Sequence, residues 1–472
     1  MIAITLEEVA AAIDGRRSPP RGGSPRSVAT IRSVTTDTRS ARTDDLFFAL
    51  RGANFDGHDF LPQAAQAGCA AAVVQEGRMR PEMQAAFPGG LITVADTTAA
   101  LNALAACHRR KAPAKVVAVT GSNGKTTVKL MIHHILSKRF KGSCSPKSFN
   151  NNIGVPLTLL GAEADDEYVV AEVGTNAPGE IAALAAVARP DVAVITSLAQ
   201  THLEKLGSLE GVAAEKASIV GFLSEGGSAV VWADSDVLEE ALRPYDRPMV
   251  RFGEGPRADL RLTGYYAQGR RQRFEINGSF WVELPLPGRH NALNALAAIA
   301  VAEKFGIAPA EAAGSLDCFA GADMRLQWMR VGTVTIVNDA YNANPASVLA
   351  AAEVLTGIAA SRRVMIVGDM RELGPEERRL HLQTGSDIAR RGVDLLIGVG
   401  SLGRYIAMGA AEAGIAVAAF ETFQEALQGV PSLLRAGDAV LVKGSRAMGM
   451  EKLIDPIRAA FAESAPSATD RS

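Results

Sequence analysis

The stretch 115–127, KVVAVTGSNGKTT, limits the fold of this chain more tightly than any other. Val116, Val117, Ala118 and Val119 form a short apolar run that reads as a buried strand. Thr120, Gly121, Ser122, Asn123 and Gly124 turn the chain, and Lys125 opens a helix whose apolar period runs through Leu130, Met131 and Ile135. Strand, glycine turn and helix start, in that order, make an anion site. Glycines admit close backbone approach, the helix N-terminus offers unpaired N–H groups and a positive dipole end, and Lys125 adds a point charge. The hydroxyl of Thr126 suits Mg²⁺. Val119 stands where the general phosphate-loop pattern has its first glycine, which leaves the shorter form TGxxGKTT. The flanking strand and helix are the context such a motif requires. Nucleotide binding is therefore the reading taken over an ordinary glycine turn.

At 472 residues the chain exceeds one core and should hold about three domains at ~150 residues each. Its 47% hydrophobic and 21% charged content describes a soluble globular protein. A net charge of −2 gives no electrostatic footprint for nucleic acid, so any polyanion bound is small and held locally. Cys69, Cys107, Cys144 and Cys318 lie far apart without CxxC spacing, as expected of reduced, mostly buried thiols in a cytoplasmic protein. The start MIAITLEEVAAAIDG lacks the basic region of a signal peptide, and no apolar run reaches ~18 residues, so no membrane span is expected. The richest run, ALNALAAIAVA at 292–302, is expected to pack as a core helix.

The first unit covers residues 1–112. LEEVAAAI reads as a helix, GRRSPPRGGSPRS at 15–27 as a polar loop, and LFFAL as an apolar strand. Asp37, Thr38 and Arg39 could receive a phosphorylated or carbohydrate ligand, but taken alone they read as a solvated turn. The second unit covers 113–325. In it Asn150, Asn151 and Asn152 form a loop before a helix, and the strand YVVAEVG carries Glu172 near its carboxyl end. Strand carboxyl ends face the ligand crevice of an open parallel sheet, and a carboxylate inside an apolar strand is costly without a partner. A Mg²⁺ shared with Thr126 is thus the favoured partner for Glu172. His202 follows the strand DVAVITS at the crevice rim, while Lys216, in GVAAEKASIV, reads by itself as a solvated helix lysine. RHNALNALAAIAVAEKFG reads as a long helix whose early asparagines, Asn291 and Asn294, are expected to cap it or to touch a nucleotide. The third unit, 326–472, alternates strands and helices as a doubly wound sheet does. Two of its strand ends carry dense polar sets, NDAYNANP and KGSR, and the tail from about 464 is expected to be disordered.

TGSNGKTT, FNNNIGVPLTLL, HLEKLGSLEGVAAEK, GRHNALNALAA, NDAYNANP, GDMRELG and KGSR together, spread from about 35 to 452, resemble the Mur ligase family. YNANP followed by GDMRELG resembles its D-alanyl-D-alanine-adding branch. The aspartate-asparagine-proline motif of the branch that adds diaminopimelate or lysine is not found. The resemblance implies an α/β protein of three domains. These are a mixed α/β UDP-sugar-binding domain, a central P-loop-type ATPase domain with a mainly parallel sheet, and a Rossmann-like domain completing the nucleotide and dipeptide sites. It implies an ATP-dependent ligase of peptidoglycan synthesis that joins D-alanyl-D-alanine to a UDP-N-acetylmuramoyl-tripeptide through an acyl phosphate.

Carried over residue by residue, the resemblance has Gly121, Ser122, Asn123, Gly124, Lys125, Thr126 and Thr127 cradle the phosphates. Thr126 and Glu172 hold one Mg²⁺, His202 serves a second, and Lys216 matches the family's carbamylated lysine, whose carbamate helps position metal. Asn291, Arg325 and Asp339 match nucleotide contacts. Thr38 and Arg39 match the UDP-sugar region by a less exact motif. Asn150, Asn151, Tyr341, Asn342 and Asn344 are candidates for holding the peptide substrates. Closure of the third domain about a hinge near 320–330 is implied, with a monomer as the expected state. Two other readings are weighed. One is a different amide ligase of the family, adding an amino acid or acting like a folylpolyglutamate synthase. The other is a nucleotide-binding regulator that has lost the chemistry, against which Lys125, Glu172, His202 and Lys216 together argue.

Overall fold

The computed structural model describes residues 1–18, 30–52, 54–78 and 81–462, and its strands form three sheets. The first runs Arg16–Ser18, Leu91–Val94, Ala71–Gln75, Leu46–Phe48, Val34–Thr35, parallel except for the antiparallel Arg16–Ser18 edge. The polar loop expected at 15–27 therefore opens with a strand, tied down where Arg17 donates to the Gly89 carbonyl at 3.3 Å. The rest of that loop, and the tail expected to be disordered from about 464, lie outside the described residues.

The second sheet has nine strands. Seven are parallel, in the order Leu260–Gln268, Met249–Gly253, Ser228–Trp232, Val192–Ile195, Lys115–Thr120, Tyr168–Glu172, Gly142–Cys144. Arg271–Ile276 and Phe280–Leu284 extend it as an antiparallel meander. Lys115–Thr120 shows why a continuous apolar run suits its centre. Val117 and Val119 pack with the helices Lys125–Leu136 and Arg289–Glu303 on one face, while Val116 and Ala118 pack with Gly154–Leu160 and Glu180–Ala188 on the other. Side chains alternate across a strand, so a strand covered on both faces has no polar position to spare. The apolar clusters follow these two faces across unit borders. One continues into the first unit through the helix Thr97–Lys111, the other into the third through the helix Pro345–Thr356.

The third sheet runs Gln327–Val331, Val334–Asp339, Asp438–Lys443, Arg362–Gly368, Leu395–Val399, Ala416–Phe420. Five strands are parallel; the antiparallel edge Gln327–Val331 has no counterpart among the strands read from sequence. Among the described residues no helix is long and apolar enough to cross a membrane, and ALNALAAIAVA lies in the core helix Arg289–Glu303. The four cysteines are free, but only Cys69 is buried and Cys318 is exposed, which corrects the expectation of mostly buried thiols.

Candidate active site

The ends of four parallel strands point into one cavity of about 1000 Å³ between the sheets. Lys115–Thr120 leads into the phosphate loop, Tyr168–Glu172 ends on Glu172, Val334–Asp339 on Asp339, and Asp438–Lys443 on Lys443. Glycine is required at two loop positions. A Cβ on Gly121 (φ 142°) would lie 2.0 Å from Thr196 Oγ1, and one on Gly124 (φ 84°) 2.3 Å from Asn294 Oδ1. Val119 needs no glycine, because it sits inside the strand paired with Glu172. Lys125, first residue of its helix, donates to the Gly121 carbonyl at 2.7 Å, and burial pushes its ammonium below the usual lysine range against the opposing pull of Glu172.

Glu172 is the hub of this cavity floor. It is 1% exposed and accepts from Thr126 Oγ1 at 2.8 Å and from Asn150 Nδ2 at 3.0 Å. Lys129 Nζ lies 3.5 Å from the same carboxylate, fully buried one turn beyond Lys125, and donates to the carbonyls of Ser145, at 2.8 Å, and Lys147. The sequence signal for Lys129 was a lysine within the buried face of an amphipathic helix, and the reading passed over it. For Mg²⁺, the adjacent hydroxyl of Thr126 and carboxylate of Glu172 are hard oxygen donors inside the cavity, and they fit. His202 lines the same cavity.

Lys216 departs from its reading as a solvated helix lysine, being 2% exposed at the end of the helix Leu209–Ala217. Burial and the nearby Lys125 push its ammonium down to about 7, against the opposing charge of Glu215. Glu215 is itself committed to the N-terminal backbone of the helix Glu180–Ala188, accepting from Gly179 N at 2.7 Å and Ile181 N at 2.8 Å. An amine that is substantially neutral near pH 7 is the form that reacts with carbon dioxide.

The border between the second and third units reaches the loop directly. Arg325 Nη2 donates to Thr126 Oγ1 at 2.9 Å, and its guanidinium lies 4.1 Å over the ring of Tyr341. Asp339 accepts from Leu326 N at 3.1 Å and from Lys443 Nζ at 2.5 Å, which fixes the backbone beside Arg325. Asn344 caps the helix Pro345–Thr356 and donates to Asn123 Oδ1 at 2.7 Å. Asn291 lies inside its helix, which is capped by Gly288; its amide donates to the Pro287 carbonyl at 2.7 Å. The expected capping role is thereby corrected for both asparagines, since Asn294 donates instead to Asn291 Oδ1 at 3.1 Å. His290 also lines the cavity, and burial holds its imidazole down to about 4.

Asn151 and Asn342 line the cavity as well; Asn151 Oδ1 accepts from Gly154 N at 2.9 Å. Thr38 and Arg39 do not share it. Arg39 is exposed and pairs with Asp37 at 2.6 Å, so they form a surface turn of the first sheet apart from the phosphate loop. Asp96, Thr98 and Asn102, at the first unit's border, do line the cavity and were not singled out in sequence.

Three family models match in order: the Mur ligase family catalytic domain at 30–109, the Mur ligase middle domain at 119–302, and the Mur ligase glutamate ligase domain at 324–446. The chain is 35% identical to the UDP-N-acetylmuramoyl-tripeptide–D-alanyl-D-alanine ligase of Bacillus subtilis, over 96% of this chain and 98% of that one. It is 36% identical to the enzyme of that name from Escherichia coli, with the same coverage. A crystal structure of MurF from Acinetobacter baumannii superposes with a TM-score of 0.86 at 31% identity, covering 97% of this chain and 99% of that one. Three matched domains in order, meeting at one phosphate-loop cavity, leave one assignment: this chain belongs to the Mur ligase family.

Proposed function

We propose that this protein joins D-alanyl-D-alanine to a UDP-N-acetylmuramoyl-tripeptide with hydrolysis of ATP, yielding ADP, phosphate and the pentapeptide precursor of peptidoglycan. The observation that carries the reading is the cavity itself, where the phosphate loop and Glu172 of the central sheet face Arg325, at the end of the second unit, and Asp339 and Lys443 of the third sheet. A terminal carboxylate and a γ-phosphate repel each other, so a site that brings them together must cancel negative charge. Lys125 supplies that charge from the phosphate loop and Arg325 from the border with the third unit. Mg²⁺ bound by Thr126 and Glu172, with His202 at a second ion, would supply Lewis-acid charge neutralisation there.

The tripeptide carboxylate oxygen attacks the γ-phosphorus, the bond from that phosphorus to the bridging oxygen breaks, and ADP leaves. The free amine of D-alanyl-D-alanine then adds to the acyl carbon to give a tetrahedral centre. Loss of a proton from nitrogen and departure of phosphate leave the amide. Lys125 holds the γ-phosphoryl group, and Arg325 reaches it from the border with the third unit. Asn291 and Asp339 contact the nucleotide, while Asn150, Asn151, Tyr341, Asn342 and Asn344 stand toward the peptide substrates, with the last tied to Asn123. Thr38 and Arg39 receive the UDP-sugar on the first sheet. Met324 and Leu326, with φ of 55° and 50° on either side of Arg325, support a hinge at 320–330. The proposal includes a monomeric, cytoplasmic enzyme with domains at 1–112, 113–325 and 326–472.

Phosphate release from ATP, measured against a panel of acceptors, tests the reading. D-Alanyl-D-alanine with the UDP-muramoyl tripeptide should give the fastest release; faster turnover with glutamate and a folate, or with a single amino acid and a shorter muramyl peptide, would overturn it. Lys216 is proposed to carry the carbamate. ¹³C NMR of protein equilibrated with ¹³C-bicarbonate should show a carbamate carbonyl that Lys216→Ala removes, and an unchanged spectrum in the variant would refute the assignment.

A further inference from the structure

His202 precedes the single turn Leu203–Leu206 with φ of 55°, and Glu372, in the loop after the strand Arg362–Gly368, has φ of 66°. Two non-glycine residues in the left-handed region thus meet across the seam between the second and third units, with His202 Nδ1 2.5 Å from Glu372 Oε2. The approach continues at Gly374, where a Cβ would lie 3.3 Å from Glu204 Cα. Behind the contact the loop is braced. Buried His381 accepts from Met370 N at 2.9 Å, and Arg371 N donates to Ser445 Oγ at 2.9 Å.

Magnitudes argue against a purely stabilising role. A pair whose carboxylate is half exposed adds little net stability, whereas each left-handed non-glycine residue is strained. The contact is expensive to hold and returns little stability. What it does supply is orientation: a carboxylate packed against one ring nitrogen, close but outside hydrogen-bond alignment, limits the ring's rotation and leaves the other nitrogen for a metal or phosphate. Here the histidine lines the cavity in the central unit, and the carboxylate comes from the third.

We propose that Glu372 is a positioning residue that sets the imidazole of His202 across the domain seam, so that this side of the active site is complete only when the third domain is docked. The inference rests on the functional reading above for His202. Steady-state kinetics of wild type, E372A, E372Q, H202A and the H202A/E372A double variant test it, alongside amide hydrogen exchange with a non-hydrolysable ATP analogue and both other substrates.

E372A should lower kcat by about 10–100-fold with little change in the KM for ATP, the range seen when a carboxylate behind a ligating histidine is removed. E372Q, which keeps the shape of the side chain packed against Nδ1 but not its charge, should recover most of that loss. In the H202A background E372A should add less than about twofold, because the two act as one unit. Exchange at 203–206 should be slowed in the wild-type complex and released in E372A. A kcat for E372A within about twofold of wild type, or an equal loss with and without His202, would overturn the proposal. So would unchanged exchange protection in E372A. A wild type without ligase turnover would sink the functional reading instead, and the exchange comparison would still decide the docking role.

Discussion

Lys125→Ala should abolish ligation, lowering kcat by about 10³-fold while the protein stays folded, because it removes a preorganised charge at the point where phosphoryl charge develops. The fold should survive, since the Lys125 ammonium bonds to the loop carbonyls of Gly121, at 2.7 Å, and Ser122, at 3.5 Å, and the loop is shaped by its glycines. Single-turnover measurement of ADP formation reads the step itself. The loss should appear there in full, because Lys125 acts before the amine does. Turnover within about tenfold of wild type would remove Lys125 from the mechanism.

Glu172→Ala should cost both activity and stability, for different reasons. Lys129 is fully buried beside that carboxylate, and burial already disfavours its charge. Deleting one partner of a buried pair leaves an uncompensated charge, a loss of about 3–5 kcal/mol. At about 2–4 °C per kcal/mol the unfolding midpoint should fall by about 6 °C or more. Adding Lys129→Met should recover much of that loss, since both charges are then gone, yet ligation should stay absent because Thr126 has lost its carboxylate neighbour. If the double variant is no more stable than Glu172→Ala, the ion pair is not what the single change breaks.

Much of this frame was legible in the chain because it follows local rules. Lys115–Thr120, the glycine turn and the helix from Lys125 are written in contiguous residues, and Glu172 stood out as a candidate by lying in a strand with no other charge. The position of Asp339 and of the KGSR lysine at strand ends was equally readable. What escaped depends on tertiary contacts. Lys216 reads as a surface lysine until packing buries it, and Asn291 reads as a cap until Gly288 takes that place. Lys129 acquires its role from Ser145 and Lys147, and Glu372 from a histidine about 170 residues away in a different sheet. The antiparallel strand Gln327–Val331 has only intermediate or exposed residues, so its pattern carried no strong apolar period. The residues that the resemblance proposes for the nucleotide line one cavity, whereas Thr38 and Arg39, proposed for the UDP-sugar, lie in an exposed turn outside it.

The most direct test of the proposed reaction is mass spectrometry of the product made from ATP, D-alanyl-D-alanine and UDP-N-acetylmuramoyl-tripeptides carrying either diaminopimelate or lysine. The account predicts a product heavier than the tripeptide by one dipeptide less one water, formed with one ADP and one phosphate. Addition of a single amino acid, or ATP turnover with no gain in mass, would contradict it.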